Sequence, residues 1–569
     1  MTESLPINAF ADPDSLTLEN LIVAVEADEQ IGIQRRRNVA SSIRSFCKTV
    51  GKQPCQIPAH ASFVRPYLKR LHPAQTGLKK SRISNMKSDL LFALKRYGPG
   101  KGRSYMAPLT PAWQCLWDTK VGPEAVYDRR SVSRLMHLCS AQGIDPEDVD
   151  DTVAHLLLQS LIDESLVTDP RGRWKKILYA WNKLIGRVPE WPQRKLTIPN
   201  DSRAFTIPLE KFPLSFQDEI AMAMDQWVGA DILDDTGPDK PLAPATIKKR
   251  LIQIRELASA LVLSGWDIKN VVSVAQIVDV ASAKVILRFY LDRADDKTTS
   301  RVHGLAVMIK ILAKYVVGVD DDHLETLKDL CNRVDPKAVG MTDKNRDRLR
   351  PFDDPRNVLL LLELSLRTVK QVLREDRGLE HDARLVQWAL AVEILLMAPV
   401  RLKNLAGIHI ERHIQRSRAT GGEVHLVIPG EEVKNGEPLD YPLPKDTVWL
   451  LELYLKNFRP RLCSPTNPWL FPGRSEDAPK SGHTLSIQLK RFVFEGTGLE
   501  VNPHLFRHIA AKIYLDQNPG QYENVRRHLG HRSMETTIKA YAGMETAAAS
   551  RHFDDTILKL RGSTMMAEL

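Results

Sequence analysis

Cysteine is scarce in this chain: Cys47, Cys55, Cys115, Cys139, Cys331 and Cys463 are all there are in 569 residues. They lie far apart, with no Cys-x-x-Cys pair and no histidine spacing suited to zinc, which excludes a disulfide scaffold and a zinc ribbon and leaves reduced thiols. No apolar run approaches the ~18 residues needed to cross a bilayer, and the first dozen residues have acidic rather than basic flanks. A cytoplasmic protein with no membrane partner is therefore expected. The chain also lacks a Gly-x-x-x-x-Gly-Lys phosphate loop and any acidic cluster assembled for a metal ion, so no cofactor and no metal are expected.

What is present is ordinary for a folded, soluble protein: 43% hydrophobic and 26% charged residues. At ~150 residues per domain the length calls for three or four units. Eighty basic against 70 acidic side chains leave a net charge of +10. Without a membrane anchor, that excess favours a nucleic-acid partner over a lipid surface.

Apolar spacing divides the chain. After an N-terminal segment (1–33), three stretches share a plan of helix, polar break and further helices: 34–103, 127–187 and 246–334. In the first, Val39, Ile43 and Phe46 make one stripe and Ile83, Leu90, Leu91 and Leu94 another. In the second, Trp174, Ile177, Leu178 and Trp181 form the closing stripe. Between the second and third, residues 188–245 carry eight prolines from Pro189 to Pro244 and read as a linker with some local helix. A polar segment, 335–354, joins the helical half to a last domain at 355–553, and 554–569 form a charged tail. In that last domain Val424, Leu426 and Ile428 alternate as in a half-buried strand. Leu439, Tyr441 and Leu443 alternate again after Asn435-Gly436, which together predict a small antiparallel sheet inside a helical domain.

Several residues there suit chemistry on an anion. Asn502-Pro503 reads as a helix start, so His504 and Arg507 fall in the first turns, on one side, near free backbone N–H groups. His531 follows Gly530 at the end of a short helix spanning 523–529, where a capping role is the plainer reading. Tyr541 lies ten residues on. Arg401 sits at a helix junction after Pro399, and Lys434 on a hairpin tip, where lysines ordinarily serve solubility.

Taken as a set, these residues resemble the tyrosine recombinases, or phage integrases, over roughly the last third of the chain. The matching stretches are Ala398-Pro-Val-Arg-Leu-Lys-Asn-Leu405, Val433-Lys-Asn-Gly-Glu-Pro-Leu-Asp-Tyr-Pro-Leu443, His504-Leu-Phe-Arg507, Leu529-Gly-His531 and Thr536-Thr-Ile-Lys-Ala-Tyr541. The chain departs from the family pattern at Asn404, where an acidic residue is usual, and at Ala398-Pro399, where Thr-Gly is usual; its interval from His531 to Tyr541 is one residue longer than in many members. The resemblance implies a mainly α fold, with helical repeats like the family's core-binding domain followed by a mixed α+β catalytic domain.

It also implies a site-specific DNA recombinase or integrase, serving a mobile genetic element, that needs neither metal nor ATP. Its catalytic set would be Arg401, Lys434, His504, Arg507, His531 and Tyr541, acting on double-stranded DNA as a homotetramer on paired sites. Two guanidiniums would hold the non-bridging oxygens with help from His531. Tyr541 would form a 3′-phosphotyrosine bond, His504 would accept the phenolic proton or orient a neighbour, and Lys434 would protonate the departing 5′ oxygen. A topoisomerase or hairpin-forming enzyme would show the same residues. A catalytically silent DNA-binding relative and a purely structural helical scaffold are the readings from other classes.

Overall fold

The computed structural model describes residues 16–98, 107–199, 205–229, 241–337, 340–375, 377–416, 422–475, 477–541, 550, 553–554 and 556–561. The chain is mainly helical and divides into two compact units, 1–198 with 340–569, and 199–339.

In the larger unit the N-terminal half forms two helical cores. The first is built by Leu18–Ala27, Ile33–Val50, Ala61–Arg70 and Lys80–Tyr97. Val39, Ile43 and Phe46 are buried there as their spacing predicts, against Ile83, Leu90 and Leu94. The segment read as lying ahead of this module contributes to it: Leu18, Leu21, Ile22 and Val25 sit on one face of the opening helix and close the same core. The second core gathers Trp113, Trp181 and Trp191, with ring centroids 6.3 and 5.0 Å apart and the Trp181 indole N–H donating to the Arg194 carbonyl at 2.9 Å. Trp191 and Leu196 belong to the stretch read as linker, yet they complete this core.

The smaller unit holds Leu214–Val228, Pro244–Leu263, Val280–Asp292, Ser300–Leu312 and Asp321–Arg333. Its first helix also lies inside the proline-rich stretch. Pro213 stands just ahead of that helix and Pro244 is the first residue of the next, positions where a ring that fixes φ and lacks an N–H suits a helix start. Phe216, Ile220 and Trp227 from it are buried in the unit's core.

The last domain is organised around Glu380–Met397, which buries eleven side chains on all sides and is the central helix of its core. Three antiparallel strands flank the helices in the order β1 (Ile414–Arg416), β2 (Val424–Ile428), β3 (Leu439–Pro442). Leu426 pairs with Tyr441 and Ile428 with Leu439, and the alternating residues face inward as predicted. The β2–β3 link differs from a tight Asn-Gly hairpin. It runs from 429 to 438 through a 3₁₀ turn at Gly430–Glu432, then a second turn closed by the Gly436 N–H on the Val433 carbonyl at 3.0 Å, with Gly436 at φ +76°. Helices Gly482–Thr497, Leu505–Gln517, Tyr522–Leu529 and Met534–Tyr541 follow. Of the expected tail, 556–561 is helical and 562–569 lie outside the described residues, as do 542–549 of the last domain.

Since Phe216 is a fully buried anchor, Phe216→Ala is expected to destabilise the smaller unit by about 3–5 kcal/mol. Hydrogen exchange of amides in 214–333 reads this directly; unchanged protection would mean that the helix is peripheral.

Candidate active site

The helix Leu505–Gln517 turns Leu505, Phe506 and Ile509 into the core, and the Asn502 side chain accepts the Leu505 N–H at 3.0 Å. Asn502 thus caps from two residues ahead of the N-cap position, which His504 holds. Arg507 is only 3% exposed. One η nitrogen donates to the Pro399 carbonyl and the other to the Leu529 carbonyl, each at 2.5 Å. Pro399 lies two residues before Arg401 and Leu529 two before His531, so one guanidinium joins the two turns that present those side chains.

Arg401 is the N-cap residue of the short helix Leu402–Ala406, in extended conformation, and its Nη1 donates to the Asn435 side-chain oxygen at 3.3 Å. The turn before His531 is held from several sides. The Tyr441 hydroxyl donates to the His528 carbonyl at 2.7 Å, Arg507 to that of Leu529, Asn435 Nδ2 to that of Gly530 at 2.7 Å, and Arg526 Nη1 to that of His531 at 2.9 Å. These are carbonyls at and beyond a helix C-terminus, which an isolated helix leaves to water. Gly530 is required twice over: its φ is +59°, and a Cβ there would run into the Leu439 side chain.

Tyr541, 1% exposed, packs with Ala511, Leu515, Val525 and Leu529. The His531 ring stacks parallel to it at 6.2 Å between centroids, and the His508 ring meets it edge-on at 5.6 Å. His504 follows at 5.2 Å from His508, and His531 Nδ1 pairs with the Thr537 hydroxyl at 2.9 Å. Burial drives the electrostatics. It pushes the Tyr541 phenol up to about 12 against the opposing pull of Arg507. It also takes His531 and His508 down to about 4, with Arg507 adding to both and Arg401 to the first. His504, at the exposed rim, shifts down for the same reasons, partial burial first and then Arg507 and Arg401. Arg507 itself is lowered by burial and then by Arg401. Among the described residues no carboxylate pairs with either guanidinium, so the pocket carries uncompensated positive charge that an anion would relieve.

Arg401, Arg507, His504, His531 and Tyr541 therefore come together. Lys434 stands apart: its side chain is exposed and, among the described residues, makes no hydrogen bond or ion pair, although its neighbour Asn435 reaches both Arg401 and Gly530. Sequence reasoning missed Asn435, Tyr441, Thr537 and His508. The last was within reach, since it follows Arg507 and lies four residues after His504 on one helical face. Its buried Nδ1 has no hydrogen-bond partner among the described residues.

The last domain thus combines helices and a short antiparallel sheet with two guanidiniums free of carboxylate partners among the described residues, imidazoles and a phenol gathered in one place. Residues 367–547 match the model of the phage integrase family. Among solved structures the chain is similar to XerA recombinase, at 13% identity over 60% of this chain and 98% of that one, with a TM-score of 0.23. It is also similar to XerH site-specific recombinase in pre-cleavage and post-cleavage complexes with difH substrates. Both are 14% identical with a TM-score of 0.31, covering 61% and 63% of this chain and 98% and 99% of those. No curated protein matches the sequence.

Two outcomes follow from the buried charges. His531 and His508 bind protons more weakly folded than unfolded, so the stability they lend is complete above about pH 6.5, falls as pH drops from there, and is gone by about pH 4. Denaturation midpoints across that range should decline, and the decline should flatten in His508→Asn; a slope identical in both would count against neutral, buried rings. Separately, Arg507→Lys keeps the charge and loses the double carbonyl contact, so a loss of about 3 kcal/mol is expected in urea denaturation, against less than about 1 kcal/mol for Arg401→Lys. Equal, small losses would show that the fork is not structural.

Proposed function

We propose that the chain is a site-specific DNA recombinase that cuts and rejoins strands through a 3′-phosphotyrosine bond at Tyr541. The reading rests on one observation: the buried fork of Arg507 fixes the turns of Arg401 and His531 around a positively charged point beside the Tyr541 ring.

In the proposed reaction the phenolic oxygen attacks the phosphorus in line with the bond to the 5′ oxygen. The new O–P bond forms as the old P–O5′ bond breaks, and negative charge on the non-bridging oxygens is held by Arg401 and Arg507. At neutral pH the His531 ring is uncharged, so it donates one N–H to that oxygen without adding charge. The phenol begins protonated, and an incoming phosphodiester draws off part of the positive charge that now favours its ionisation. A proton acceptor is therefore required, a role given to His504 at the exposed rim. Lys434, on the β2–β3 link, supplies the proton to the leaving 5′ oxygen. A 5′-hydroxyl from another strand reverses the steps and reseals the DNA, because the phosphotyrosine keeps the energy of the original diester.

A basic cleft supports DNA as the substrate. Lys69, Lys80, Lys87, Arg348 and Lys490 line about 1140 Å³ that also borders Asn502, the residue capping the His504–Arg507 helix. Such cations suit backbone phosphates flanking the scissile one. Action as a homotetramer on paired sites, service to a mobile element and a cytoplasmic location belong to the same proposal; among the described residues no helix is long and apolar enough to cross a membrane.

The 1% exposure of Tyr541 favours a second reading, a DNA-binding relative whose tyrosine is withheld. A duplex nicked close to the cut, so that the short 5′ product diffuses away, separates the two. Covalent protein–DNA adduct with the intact chain, lost in Tyr541→Phe with DNA affinity retained, is the expected result. Binding without adduct in either protein would establish the silent relative.

A further inference from the structure

Arg401 reaches the proposed phosphate site with little visible support. Among the described residues it has no carboxylate partner, and Asn404, three residues on, donates to the Glu432 carbonyl at 3.0 Å instead of turning to the guanidinium. Its contact is the amide of Asn435, and that amide has two ends in use. Oδ1 accepts from Arg401 Nη1 at 3.3 Å, while Nδ2 donates to the Gly530 carbonyl at 2.7 Å, one residue before His531.

We propose that Asn435 is a positioning residue: its amide couples the Arg401 guanidinium to the backbone turn that carries His531, so that the two side chains meet one phosphate together. The proposal rests on the recombinase reading for its reaction, but not for its geometry.

An amide suits this place for a physical reason. A carboxylate would grip Arg401 harder, yet it would cancel the positive charge the phosphate needs and repel the Gly530 carbonyl. A neutral amide restrains the guanidinium, leaves its charge intact and satisfies the carbonyl with its other end. The link 429–438 has other anchors. Asn404 holds Glu432, whose carboxylate pairs with Arg412 at 2.7 Å and with His413 at 3.3 Å, and Leu439 and Tyr441 are buried. Removing the Asn435 amide therefore releases Arg401 without releasing the loop.

Two measurements on the full chain test this. In single-turnover trapping on nicked duplex, Asn435→Ala is expected to slow adduct formation about 10- to 100-fold with an unchanged melting temperature, because a misplaced reacting group costs rate rather than fold. Asn435→Asp, which keeps an acceptor for Arg401 but loses the donor to Gly530, is expected to be comparably slow. In an Arg401→Ala background the further change Asn435→Ala should slow trapping by less than about twofold, the non-additivity of residues that act as a unit. The second measurement is affinity for orthovanadate, a tetrahedral phosphate analogue that can take a fifth oxygen ligand as the transferring phosphoryl group does, by calorimetry. It should weaken about tenfold in Asn435→Ala and not at all when Arg401 is already alanine.

Trapping and vanadate affinity at the unsubstituted level in Asn435→Ala would overturn the proposal, as would equal losses in both backgrounds. A chain that never traps DNA but shows the coupled vanadate effect would sink the recombinase reading and leave the positioning role standing.

Discussion

The site depends on a buried cation with no anion of its own. Arg507 spends two of its donors on the Pro399 and Leu529 carbonyls and none on a carboxylate. Carbonyl dipoles hold the guanidinium in a fixed plane without neutralising it, so its charge remains available to a visitor. Desolvation and the neighbouring Arg401 both work against that charge. Burying a guanidinium on these terms opposes folding, and the cost is recovered when an anion arrives. Burial is the first cause of the weak basicity of His531 and His508, and the uncompensated charge of Arg507 adds to it in both.

Around this cation the backbone is organised as a hub. Four successive carbonyls, from His528 to His531, are taken by Tyr441, Arg507, Asn435 and Arg526. Strand β3, the β2–β3 link and the helix of Arg507 thereby converge on one turn, and Gly530 leaves room there for the Leu439 side chain of β3. Tyr541 stacks on the residue that ends this turn. Its burial holds the phenol protonated against the pull of Arg507, and an anionic substrate weakens that pull, so the proposed reaction needs a separate proton acceptor.

Much of this was legible in the sequence, for physical reasons that differ by element. The strands showed because period-two alternation at 424–428 and 439–443 puts every second side chain on one face of a strand and would scatter the same residues around a helix. The helix of His504 and Arg507 showed because Asn502 is a good cap. The helix Leu214–Val228 was obscured by prolines, which stand at helix starts as readily as in linkers, and Leu18–Ala27 by its shortness. Within the site, each residue was a weak signal alone, and the resemblance to a family pointed to Arg401, Lys434, His504, Arg507, His531 and Tyr541 as a set. Asn435 and Tyr441 could not be seen, because their importance lies in which distant carbonyls they reach, and a sequence does not display that. The Asn435-Gly436 pair was visible only as a turn, and the longer link around it is set by Asn404 and Glu432.

One phenol, beside one buried arginine, takes over one phosphodiester in the proposed reaction. Mass spectrometry of peptides from protein reacted with nicked duplex, after nuclease digestion, reads this at the level of atoms. A single modified peptide is expected, with the nucleotide's 3′ phosphate esterified to Tyr541. A nucleotide on any other residue, or a linkage through a 5′ phosphate, would contradict it.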